Sequence, residues 1–85
     1  MFYFYVLESV EKKLYFGATK DLRKRLAEHH AKRSTSTKKS SWELIYYEAY
    51  RSEHDARRRE QRIKLHGQAK RQLKDRIKAS RLAES

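Results

Sequence analysis

The sequence predicts an α/β (α+β) domain: a small three-stranded, mostly antiparallel sheet flanked by α-helices, in the order β-β-α-β-α-α. Three observations predict it. Runs of aromatic and β-branched residues at 2–7, 13–18 and 42–50 are the material of strands. Stretches after the second and third runs carry apolar residues at helical spacing behind capping residues. No linker divides the 85 residues, which include two Gly and no Pro, so one domain over 1–85 is expected, with its core at about 2–74.

Phe2 to Leu7 is apolar throughout, as in a strand covered on both faces. Polar Glu8 to Lys12 is short, so an antiparallel hairpin connects it to the second run. A turn centred on Val10 would set Tyr5 opposite Tyr15. Thr19 can cap a first helix whose first turn carries Asp21 and whose apolar positions are Leu22 and Leu26. Residues 32–41, with Lys32, Arg33, Lys38 and Lys39 among Ser and Thr, have no periodicity and read as a mobile basic loop. Ser52 and Asp55 resemble a capping box opening a helix through Leu65, which Gly67 would end in a left-handed cap. Ala69, Leu73 and Ile77 stripe a last helix at about 68–82.

The composition excludes several classes. Without Cys there is no disulfide framework, no Cys-ligated zinc and no thiol nucleophile. No apolar run approaches the ~18–20 residues of a membrane span, so no membrane partner is expected. Met1 to Phe4 lacks the cationic flank of a signal peptide, and the expected compartment is the cytoplasm. The 22 Lys and Arg against 11 Asp and Glu leave a net charge of +11, the footprint of a polyanion binder, most simply of nucleic acid.

Polar residues then fall where core residues belong. At 100° per residue, Leu22, Leu26 and His29 lie within about 60° of one another with Arg25 alongside. Arg25 can snorkel past the core and His29 can be a satisfied half-buried histidine; both can also be functional heads aimed at the sheet. Ala56, Glu60 and Ile63 share a stripe on the next helix. Glu60 there either neutralises a basic neighbour or holds a hard divalent cation, whose shell water and substrate phosphate can complete. The tyrosine pair, Arg25, His29 and Glu60 together make a site-like set, expected around one concave surface.

These residues, in this order, resemble the GIY-YIG endonuclease superfamily, and its small stand-alone bacterial branch in particular. The resemblance rests on Tyr3-Phe4-Tyr5, on Tyr15-Phe16-Gly17 with Thr19, Asp21 and Leu22, on Arg25, Leu26 and His29, on Trp42 through Glu48, and on Ala56, Glu60 and Lys64. It spans Phe2 to about Lys74. Tyr3 and Phe16 depart from the family triplets at strand positions, and Ala18 stands where some relatives carry a lysine, leaving Lys20 as the nearest cation. The resemblance implies a metal-dependent endonuclease acting on nucleic acid, DNA before RNA. It implies Tyr5 or Tyr15 as the base, Tyr5 first; Arg25 as the stabiliser of the phosphorane charge; His29 in proton handling or phosphate binding; and Glu60 as the carboxylate ligand of one Mg²⁺ or Mn²⁺. A free tyrosine has a pKa near ~10, and the surrounding positive charge is expected to favour phenolate. Lys20, Lys32, Arg33, Lys38, Lys39, Arg57, Arg58, Arg62 and Lys64 are the expected phosphate contacts, which carry little base specificity. A protein partner is expected to supply any high specificity. The alternative is a nucleic-acid-binding module that keeps the fold without cutting.

Overall fold

The first strand, β1 (Phe2–Ser9), is apolar on both faces because it is the central strand. It pairs antiparallel with β2 (Leu14–Thr19) on one side and with β3 (Trp42–Tyr50) on the other, giving the order β2-β1-β3. The computed structural model describes residues 1–32 and 42–82, with side chains for 1–29 and 42–81. The expected basic loop, including Arg33, Lys38 and Lys39, lies outside the described residues.

The hairpin turns one residue later than expected. Ser9 N–H donates to the Lys13 carbonyl and Lys12 N–H to the Ser9 carbonyl, each at 2.9 Å, closing a three-residue loop centred on Glu11. Lys12 takes a left-handed conformation (φ 68°) there, as the last residue of such loops does. Ser9 Oγ accepts the N–H groups of Glu11 and Lys13, holding the turn in place. Tyr5 therefore faces Gly17, and Tyr15 faces Leu7. The slip is an even number of residues, so both tyrosines keep their shared face.

Between Val6 and Leu7 the β1–β3 pairing skips Ile45, a bulge that reverses the alternation of β3. Trp42 and Leu44 then share the face of Tyr5 and Leu7, whereas Tyr46, Glu48 and Tyr50 share the face of Phe4 and Val6.

One helix covers each face. α1 (Leu22–Lys32) lies over the Tyr5 face. Asp21 rather than Thr19 caps it: Asp21 Oδ1 accepts the Lys24 N–H, while Thr19 Oγ1 accepts the Asp21 N–H one step earlier. α2 (Glu53–Leu65) covers the other face, with Ser52 Oγ accepting the Asp55 N–H as expected of its cap. Gly67 does not end α2. His66 does, in extended conformation, and Gly67 opens α3 (Gly67–Arg76), so a left-handed glycine was not needed. The expected last helix breaks at Ile77 into α3 and a short α4 (Lys78–Leu82).

Phe4, Val6, Phe16, Ile63, Leu73 and Ile77 form the core between the sheet and the α2/α3 layer. At its end, the buried Glu8 carboxylate accepts from Arg81 Nε at 2.8 Å, and the same guanidinium donates to the Lys12 carbonyl. α4 is thereby fastened to the β1–β2 hairpin.

Candidate active site

Tyr5 is 1 % exposed, yet its hydroxyl carries the site. Its ring lies over Gly17, where a Cβ would stand 2.5 Å from the hydroxyl oxygen, so only the absence of a side chain leaves room. The oxygen accepts from Arg25 Nε at 3.4 Å and shares a hydrogen bond of 3.3 Å with His29 Nε2. Tyr15 stands edge-on to His29, with ring centroids 4.9 Å apart, and lies 6.3 Å from the Tyr5 ring. The inward stripe of α1 thus delivers Arg25 and His29 to the two tyrosines, as their helical spacing predicts.

Burial dominates the electrostatics of Tyr5. It pushes the phenol above its ordinary value, and the nearby Tyr15 and Glu60 oxygens add to that; the hydrogen bond from Arg25 pulls the other way and does not prevail. Arg25 thus acts toward phenolate, as expected, but burial outweighs it. Arg25 is held more firmly in its charged form by its bonds to Tyr5, to Glu28 Oε1 at 3.0 Å, and to Tyr15.

Arg25 also lines a cleft of about 460 Å³ that wraps the open edge of β2 and joins the two helical layers. Ala18 and Thr19 of β2, Lys24 of α1, and Ala56 and Arg57 of α2 line it too. Lys20 belongs to this cleft, and Lys24 was missed because its helical position, about 160° from Leu22, reads as facing water. Glu60 lies one turn beyond Ala56 on the same stripe of α2. Its carboxylate pairs with Lys64 Nζ at 2.8 Å, and it reaches Tyr5 through its field. Four of the five expected residues therefore touch one another, whereas Glu60, expected on the same concave surface, stands on α2 in the other helical layer and pairs with Lys64.

The expected phosphate contacts divide. Lys20 and Arg57 share the cleft with Arg25, although Arg57 also pairs with Glu53. Arg58 pairs with Asp55 on the exposed side of α2, and Lys64 is engaged by Glu60. Arg62 lines a separate cleft between α2 and α3. Lys32 ends α1.

Among the described residues no group of three or more His, Cys, Asp or Glu side chains converges. A divalent ion could be held by Glu60 with water and phosphate oxygens completing the shell, the mode that suits hard Mg²⁺. Such an ion would take Glu60 from its ion pair with Lys64.

A second polar cluster, not found from sequence, locks α2 to β3. Arg59 donates from Nε and Nη2 to the two Glu48 oxygens at 3.0 and 3.1 Å, and the hydroxyls of Tyr46 and Tyr50 donate to the same carboxylate. Burial raises the Glu48 carboxyl, but Arg59 and both hydroxyls outweigh it and hold the group below its usual range. Tyr50 is pushed up to about 12, by burial first and then by Glu48.

An α+β domain whose sheet is covered on both faces and gathers two tyrosines, an arginine and a histidine beneath its first helix defines a narrow class. The chain belongs to the GIY-YIG catalytic domain family, which matches residues 1–75 and places it in a nuclease superfamily. It is similar to a UPF0213 protein encoded in the ldhD 5′ region of Pediococcus acidilactici, 41% identical over 59 residues covering 65% of this chain and 60% of the relative. A UPF0213 protein of Streptococcus pyogenes serotype M3 is 45% identical over 56 residues, 64% of this chain and 61% of the relative. The match thus spans about three fifths of the length of these relatives. No solved structure matches the chain.

Proposed function

We propose that the protein is a metal-dependent endonuclease that hydrolyses phosphodiester bonds in DNA. The observation that carries this reading is the Tyr5 hydroxyl, bonded at once to Arg25 Nε and His29 Nε2, with Arg25 reaching into a cleft that Lys20, Lys24 and Arg57 also line beside Asp21, Glu28 and Glu53. Phosphodiester hydrolysis needs an in-line water, a proton acceptor and neutralisation of the non-bridging oxygens. Tyr5 is too buried to hold a standing phenolate, but it can take the proton of water while passing its own to His29. Arg25 keeps its charge throughout, and its planar fork suits the phosphoryl oxygens. Glu60 would hold the divalent ion, which supplies Lewis-acid stabilisation of the scissile phosphate and the leaving oxygen.

The test is nicking of supercoiled plasmid with Mg²⁺ or Mn²⁺, with affinity and melting temperature read on the same preparation. Glu60→Gln keeps shape and loses charge; nicking should fall about 10²-fold or more while DNA affinity holds or rises. Arg25→Ala should likewise lose far more cleavage than binding. The Glu60–Lys64 ion pair favours a second reading, a DNA-binding module that does not cut. That reading takes over if the wild type nicks nothing with either ion and Glu60→Gln lowers only the melting temperature.

A further inference from the structure

Most aromatic rings of the sheet are turned into a layer, but Tyr47 is 53 % exposed. It pairs with Tyr5 across β1 and β3, on the face that α1 covers, and it stays half-exposed beside Leu22 and Leu26 of that helix. Tyr3 packs against it in a T-shaped pair, with ring centroids 5.9 Å apart at 67°, so the Tyr47 ring is braced by a neighbour and still half-exposed. Together with Leu26, Lys20, Arg23 and Asp21, the two rings line a cleft of about 490 Å³, within the range that takes a single small ligand.

The charges around this cleft select the ligand. Lys20 and Arg23 are exposed at its rim. The one acid, Asp21, caps α1 by accepting the Lys24 N–H, and the two cations leave the cleft net positive. A planar π-surface beside two cations matches a nucleobase with its phosphate. Lys20 and Asp21 line this cleft and the Arg25 cleft alike, so one strand can run from one to the other. Tyr47 sits opposite Tyr5, whose hydroxyl Arg25 contacts, and the two clefts adjoin at Lys20 and Asp21. A base held at Tyr47 thus belongs to a nucleotide close to the one at the reacting phosphate. In a duplex both faces of a base are already stacked, so only an unpaired base can use the ring.

We propose that Tyr47, braced by Tyr3 and flanked by Lys20 and Arg23, is a stacking platform for an unpaired base of the DNA strand that enters the Arg25 cleft. The site rests on the nuclease reading for its substrate and would direct cleavage to DNA with a single-stranded stretch.

The experiment uses the full chain as wild type, Tyr47→Ala and Tyr47→Phe. The probe is a single-stranded DNA oligonucleotide containing 2-aminopurine, beside a fully paired duplex of the same sequence. Wild type should quench 2-aminopurine, and Tyr47→Ala should lower the ratio of single-strand to duplex affinity about tenfold or more. Tyr47→Phe, which keeps the ring, should retain both the quench and the ratio. The proposal is overturned if Tyr47→Ala binds the single strand as wild type does or loses both DNAs equally. Quenching by the equivalent RNA alone would also overturn it, as would Tyr47-dependent dimerisation without DNA. Nicking measured in parallel separates the two readings: quenching without cleavage under Mg²⁺ or Mn²⁺ sinks the nuclease and leaves the platform, and cleavage without quenching does the reverse.

Discussion

At the scale of single residues, the missing side chain of Gly17 sets the geometry of the site. The Tyr5 ring occupies the space that a Cβ would take, and Tyr5 has no exposed side on which to retreat. Gly17→Ala should therefore displace the hydroxyl from Arg25 and His29, at an overpacking cost of about 1–3 kcal/mol. Misplacement on the order of 1 Å should reduce nicking about 10²-fold. Melting temperature and nicking rate on one preparation check this; an alanine variant with wild-type cleavage would show that the position of Tyr5 is not needed. Helical spacing alone aimed Arg25 and His29 inward, and strand alternation put the tyrosines on one face. The depth to which Tyr5 is buried was not legible, because a strand pattern reports which face a ring joins and not how completely the opposite layer seals it. Lys24 escaped for a related reason: helical spacing puts it on the side away from the inward stripe, and only the cleft at the β2 edge gives it a role.

Among the elements, the joint between β3 and α2 decides how Glu60 is presented. Arg59 precedes Glu60 in the chain, so the two bonds from Arg59 to Glu48 fix the rotation of α2 against the sheet. Its titration gives a signed expectation. Glu48 has a depressed carboxyl, so its contribution is present above its ordinary value of 4.5 and is lost as pH falls through the folded value. Tyr50 is raised, so its contribution is present below 10.0 and fades as pH climbs to about 12. Urea unfolding across pH should show a plateau with both limbs, and Glu48→Gln should flatten the acid limb. An unchanged acid limb would place the acid sensitivity elsewhere. This joint was hidden in the sequence because the bulge at Ile45 reverses the alternation of β3, and a period-two reading cannot foresee a skipped residue. Gly67 misled for a simpler reason: glycine permits a left-handed cap without requiring one, and His66 turns the chain in an extended conformation.

For the whole molecule the governing quantity is the charge of +11. If about four to six phosphates are neutralised, the logarithm of DNA affinity should fall with that of salt at a slope of roughly −4 to −5. Titrations of wild type and Arg57→Ala over a range of salt check it, the variant giving a shallower slope. An affinity indifferent to salt would remove the basic surface from the interface. The ion pair between Glu8 and Arg81 bears on a different matter, where this domain can be cut. Family similarity stops at residue 75, but the chain's own packing does not: Ile77 completes the core and Arg81 satisfies a carboxylate on the first strand. A recombinant fragment trimmed to the similarity limit would strand Glu8 in an apolar end of the sheet and open the core beneath it. The physical boundary of this domain therefore lies past Arg81, and any fusion or transplant of the nuclease fold must carry those residues with it.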